Sequence, residues 1–184
     1  MHLACDGKGR PLSVVVTPGQ RHESTQLEAV LDAIRVARLD VGRPRKRPER
    51  LIADKGYSSP SCRRVLRERG IPHTIPERRD QRERRAGRPG RKPGFDANAY
   101  RRRNVVERCV NRLKQWRGIA TRYEKRAVNY GAMVVIAALM VWLASYITRH
   151  ALATCSSSAL PQCKSRRKLP LRLHWYVCYS SPHV

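Results

Sequence analysis

The chain has 184 residues, and its 39 Lys and Arg against 14 Asp and Glu give a formal net charge of +25. That length suits one domain of moderate size with a real apolar core. The charge excludes cationic partners and selects polyanions: DNA, RNA or an anionic membrane surface.

Six cysteines are present, without a C-x-x-C pair or the Cys–His spacing of a zinc finger. They read as reduced thiols of a cytoplasmic protein rather than as a metal site or a disulfide framework. The opening Met1-His2-Leu3-Ala4-Cys5-Asp6 has neither the basic nor the apolar stretch of a signal peptide.

Two strands open the chain, His2 to Cys5 and Pro11 to Thr17, joined by the Gly-rich turn Asp6-Gly7-Lys8-Gly9-Arg10 as a hairpin. Ser24 to Arg38 carries Leu27, Val30, Leu31 and Ile34 at helical spacing, with Ser24 or Thr25 as the cap. After a Pro-Arg-Lys linker, Leu51-Ile52-Ala53 is a short buried strand that stops at Asp54. A second helix, Ser59 to Arg69, starts with Pro60 in its first turn and ends before Gly70. Ile71 to Ile75 is a weak strand.

From Glu77 to Lys92 eight residues are basic and three acidic, and apolar content is low, so Glu77 to Gly94 reads as a flexible loop that orders on a polyanion. A third helix is expected from Asn98 to Arg117 and a fourth from Lys125 to Thr148. The strictly apolar part of the fourth, Ala132 to Ala144, is shorter than a bilayer needs, so no membrane span is expected. From Arg149 on there is no acidic residue and no sustained period, and the tail is expected to be disordered. The order of elements predicts an α/β domain with a mixed sheet flanked by helices.

The third helix carries the chemistry. On a helical wheel of about 100° per residue, Tyr100, Arg103, Glu107 and Lys114 fall within one sector of roughly 60°, with Asn111 beside them. Val105, Val106, Cys109, Val110, Leu113 and Trp116 form a core stripe, and Arg101, Arg108 and Arg112 a separate basic one. Arg103 and Glu107 have i,i+4 spacing, which plain ion pairing would also explain.

Tyr100-x2-Arg103-x3-Glu107-x6-Lys114 resembles the Y-x2-R-x3-E-x6-K signature of a large group of DDE transposases of bacterial insertion sequences. Ile52-Ala53-Asp54-Lys55-Gly56-Tyr57 is similar to the text around that group's second aspartate. The resemblance covers residues 1–148, read as a partial DDE catalytic domain, and leaves 149–184 as a disordered or non-homologous basic tail.

The resemblance implies an RNase H-like fold and DNA cleavage and joining at insertion-sequence ends, with water and then a 3′-hydroxyl as nucleophiles. It implies a two-metal Mg²⁺ site held by three carboxylates, with Asp54 and Glu107 as catalytic metal ligands. Tyr100, Arg103, Lys114 and Asn111 would be DNA-binding, and a homodimer on DNA is implied.

The family's first aspartate lies on a strand that would precede this chain. The sheet is therefore expected to lack its first strand, and the chain to be inactive alone. Asp6, the only early acidic candidate, sits in a turn expected to face solvent. The alternative function is a non-catalytic DNA-binding protein derived from a transposase.

Overall fold

In the computed structural model the described residues are 1–184 except 19–20, 39–40, 88–89, 91–93, 156–173 and 180–184. In chain order the elements are β1 His2–Asp6, β2 Pro11–Val15, α1 Leu27–Asp32, β3 Arg50–Ala53, α2 Pro60–Glu68, β4 His73–Thr74, α3 Arg79–Ala86, α4 Ala97–Arg101, α5 Asn104–Lys114, α6 Arg117–Ala120, α7 Ala127–Cys155 and β5 His174–Tyr179. The expected mixed sheet is present. Its five strands run in the order β2-β1-β5-β3-β4. β1 is antiparallel to both β2 and β5, while β3 is parallel to both β5 and β4.

The centre of that sheet corrects the reading of the tail. The segment from Arg149 on was expected to be disordered, yet α7 continues to Cys155 and His174–Tyr179 forms β5. β5 is paired on both sides, so the central position of the sheet is supplied by the far end of the chain. The remaining tail residues, 156–173 and 180–184, lie outside the described residues.

Each face of the sheet buries its own core, because successive strand residues point to opposite sides. Leu3, Cys5, Ile52, Tyr176 and Cys178 face α5, α6 and α7, meeting Val106, Cys109, Leu113, Ile119 and Val134. Ala4, Leu51, Ala53, Trp175 and Val177 face α1 and α2, meeting Leu27, Leu31, Ile34, Cys62 and Leu66. The stripe Leu27-Val30-Leu31-Ile34 is buried, as are Val106, Cys109, Val110 and Leu113 of the third-helix stripe, but Val105 is half-buried and Trp116, beyond the end of α5, is 42% exposed.

Several boundaries differ from expectation for identifiable reasons. The first helix begins as a 3-10 turn, Glu23–Gln26, capped by His22 rather than by Ser24 or Thr25. It ends early, because Val36 leaves it to pair with Arg45 in a β-bridge. The basic stretch expected as a loop contains α3, where no Pro or Gly interrupts residues 79–86 and Arg79 pairs with Glu83 one turn on at 2.8 Å.

α2 follows the sequence closely. Ser59 Oγ accepts from Cys62 N at 3.2 Å, and Gly70 at φ 60° closes the helix in the left-handed region, where a side chain would be strained.

α7 lies across β2 and α5 and buries Tyr130, Val134 and Ala137. Trp142 Nε1 donates to the Pro11 carbonyl at 2.7 Å, which ties the helix to the edge strand. Val135, Ile136, Leu139, Met140 and Leu143 are exposed on its other side. By length and composition the 22 residues Ala127–Thr148 are apolar enough to cross a membrane, as are core helices of soluble proteins.

Candidate active site

Asp54 follows the last residue of β3, at the point where the chain leaves the sheet in a 3-10 turn, Lys55–Tyr57. Its Oδ1 accepts from Lys55 N at 2.6 Å and caps that turn. Its other oxygen, Oδ2, accepts from Arg103 Nη2 at 3.0 Å. The second nitrogen of the same guanidinium, Nη1, donates to Glu107 Oε1 at 2.9 Å. One arginine thus clamps two carboxylates that lie 53 positions apart in sequence, through the planar fork that suits Arg to this task.

The expected single helix from Asn98 to Arg117 is three pieces, and the first break serves this clamp. At Arg102 and Arg103 the backbone bonds run i to i+3: Arg102 N to Ala99 O at 3.2 Å and Arg103 N to Tyr100 O at 2.8 Å. Arg103 caps α5 from this tightened turn, where its side chain reaches both Asp54 and Glu107. The second break is at Trp116, whose ψ of 108° is extended.

Tyr100, on α4, lies under the guanidinium, with Arg103 Cζ 5.9 Å from its ring centroid, and packs on Phe95 at 5.4 Å. α4 itself is capped by Asp96, which accepts from Ala99 N at 2.9 Å and from Arg50 Nη1 at 2.6 Å.

The sequence-predicted residues are therefore partly gathered. Asp54, Arg103, Glu107 and Tyr100 meet. Asn111 and Lys114 lie one and two turns beyond Glu107 on α5, exposed, and make no hydrogen bond to this group among the described residues. Asp6 does not join it, and it is not at the surface either. It is 5% exposed and holds the hairpin, accepting from Lys8 N and Arg10 N, both at 2.9 Å, and from Arg10 Nε at 2.7 Å.

Two neighbours were not anticipated. The Glu23 carboxylate lies against Gly56, where any side chain would collide with it. Its pKa is raised, first by burial and then by the negative charge of Asp54. Cys178 on β5 is buried beneath the clamp, and burial pushes its thiol up to about 12, against the pull of Arg103. For Arg103 itself, burial opposes the cation, yet the surrounding groups, Asp54 first, raise its pKa overall. Burial also raises the Tyr100 phenol, with Arg103 opposing.

Do these residues fit a metal? Mg²⁺ needs several oxygen ligands in near-octahedral array. Here both candidate carboxylates are occupied by Arg103, and the side chain beneath them is a thiol, a soft donor that suits hard cations poorly. Among the described residues no group of three or more His, Cys, Asp or Glu is placed to hold an ion. The site as built does not fit a divalent metal pair.

Comparison with known proteins gives the family. The model of the transposase DDE domain matches residues 1–143. The chain belongs to the DDE transposase family. It is 34% identical over 140 residues to a protein of Burkholderia cepacia named as a transposase for insertion sequence element IS402, a match covering 76% of this chain and 60% of that protein. The chain thus spans about three fifths of that relative's length. It is 27% identical over 147 residues to a protein of Brucella ovis named as a transposase for insertion sequence element IS6501, covering 78% of this chain and 96% of that one. No solved structure matches. Members of this family generally use a divalent metal, which sharpens the mismatch with the arginine-clamped pair found here.

Proposed function

We propose that this chain is a DNA-binding transposase domain whose acidic centre is Asp54 and Glu107, and that it does not cleave DNA by itself. The observation that carries the reading is the clamp: a cation from α5 holds an aspartate at the end of β3 and a glutamate one turn away, in a chain of net charge +25. A phosphodiester would take over an arm of the Arg103 fork from a carboxylate, since Nη1 and Nη2 already donate to Glu107 and Asp54.

On this reading Arg103, Lys114 and Asn111 contact DNA, and Tyr100 supports Arg103, whose guanidinium lies over its ring. Asp54 and Glu107 are the positions that would serve metal-dependent cleavage and joining at insertion-sequence ends in a completed site, with Mg²⁺ the ion suited to such oxygens. We assign the protein to the cytoplasm, as a homodimer on DNA.

The non-catalytic alternative draws on the same clamp, since carboxylates held by an arginine are not available to an ion. Replacing Glu107 with Gln separates both of these readings, in which the chain alone does not cleave, from that of an active enzyme. A cleaving enzyme loses Mg²⁺-dependent nicking of an insertion-sequence end and keeps binding it. A pure binder shows no nicking before or after the change, and this is the outcome we expect.

A further inference from the structure

β5 reaches the centre of the sheet from the far end of the chain, beyond the 143 residues that the family model covers. Its place has two consequences. Without it β1 and β3 would each present a row of unpaired N–H and C=O groups. It also determines which side chain stands next to Asp54. The register pairs Ile52 with Tyr176 and Ala53 with Val177, so the next step sets Asp54 beside Cys178. Ile52, Tyr176 and Cys178 share the core under α5. By strand alternation Asp54 turns to that same side, where Arg103 and Glu107 wait.

We propose that Cys178 decides the ligand class of this site: by seating a buried thiol beside Asp54, β5 leaves the two carboxylates to Arg103 and closes the site to divalent cations. A carboxylate at position 178 would supply a third hard oxygen donor and offset the Arg103 charge, turning the pair into a cation site. This inference rests on the reading of Asp54 and Glu107 as the acidic centre.

The test uses the full chain and Mn²⁺ alone, with free ion followed by electron paramagnetic resonance. Wild type and Cys178→Ser are expected to bind no Mn²⁺ below millimolar concentration. Cys178→Asp is expected to bind at least tenfold more tightly, and adding Glu107→Gln to it should abolish that gain. Binding by wild type equal to that of Cys178→Asp, or no gain of Cys178→Asp over Cys178→Ser, overturns the proposal.

Should the buried aspartate prevent folding, Asp54→Cys replaces it. With diamide taking up the two electrons and two protons, residues 54 and 178 are expected to form a disulfide, identified by peptide mass mapping. Absence of that bond in the folded chain overturns the placement. DNA binding is measured in parallel. A folded Cys178→Asp chain that binds DNA but no Mn²⁺ defeats the role of Cys178 alone. A wild-type chain that binds no DNA defeats the functional reading instead.

Discussion

Trp175 is the largest fully buried side chain in the protein, 0% exposed on the face of β5 that meets α1 and α2. If β5 is the central strand, cutting Trp175 to Ala leaves a large cavity between Leu27, Leu31, Leu51 and Leu66. Such truncations cost about 3–5 kcal/mol, a large share of the roughly 5–15 kcal/mol that holds a domain together. With a urea slope of about 2 kcal/mol per molar, the unfolding midpoint should fall by about 2 M. Trp175→Phe should cost far less. The indole Nε1 has no hydrogen-bond partner among the described residues, so removing it relieves a penalty of about 1–3 kcal/mol while the ring keeps most of the contact. Urea unfolding of the full chain, followed by circular dichroism, measures both. A Trp175→Ala midpoint within 0.3 M of wild type, to take roughly a tenth of the domain's stability as the limit, would refute a docked β5.

The clamp should be unequal in its two arms. The Asp54 side chain is 32% exposed and that of Glu107 52%, so double-mutant cycles with Arg103→Gln should give a coupling of about 1 kcal/mol to Asp54 and only about 0.3–0.5 to Glu107; a larger coupling to Glu107 contradicts the geometry. Stability should depend on pH through His2, which is buried, hydrogen-bonded to Tyr57 Oη at 2.8 Å and Thr17 Oγ1 at 3.1 Å, and lowered to about 4 by burial first and then by the terminal ammonium. A folded pKa below the unfolded value stabilises at pH above about 6.5. That contribution, at most roughly 3 kcal/mol, should be lost as pH falls toward about 4, and His2→Gln should flatten the melting profile over this window. DNA affinity should fall steeply between 50 and 200 mM salt, values that typically span orders of magnitude for phosphate-dominated binding, and Arg103→Gln should make the slope shallower; an unchanged slope would remove Arg103 from the contact surface.

Much of this structure was legible wherever local pattern and tertiary packing agree. The β-branched pair Val14-Val15, the Leu51-Ile52-Ala53 strand halted by Asp54, the Pro60 start and Gly70 stop of α2, and the stripe Val106-Cys109-Val110-Leu113 of α5 behave as their periods require. The Arg103–Glu107 arm of the clamp was legible from its i,i+4 spacing, but the arm to Asp54 was not. A wheel assumes an unbroken helix, and the tightened turn at Arg102 and Arg103 is what aims the guanidinium at Asp54.

Glu23 lies just before the expected helix, and nothing in its local sequence marks it as the neighbour that leaves room only for glycine at residue 56. β5 was missed because its partners lie more than 120 residues away along the chain in a tail poor in period. The signal was nevertheless there: His174-Trp175-Tyr176-Val177-Cys178-Tyr179 is a six-residue run dominated by aromatic and β-branched side chains, the composition of a buried strand. α3 was missed for the opposite reason, since it buries nothing and is held by ion pairs such as Arg79–Glu83 and Arg85–Glu77.

The most direct test of the account is to mix the purified full chain with supercoiled plasmid carrying an insertion-sequence end, with and without 5 mM Mg²⁺, a concentration chosen on the order of ordinary assays of two-metal nucleases, and to follow both gel retardation and conversion to nicked circles. Retardation that fades with salt, and no Mg²⁺-dependent nicking, is the result expected of a DNA-binding transposase domain whose carboxylates are clamped by Arg103. Robust Mg²⁺-dependent nicking that disappears in Glu107→Gln would contradict it.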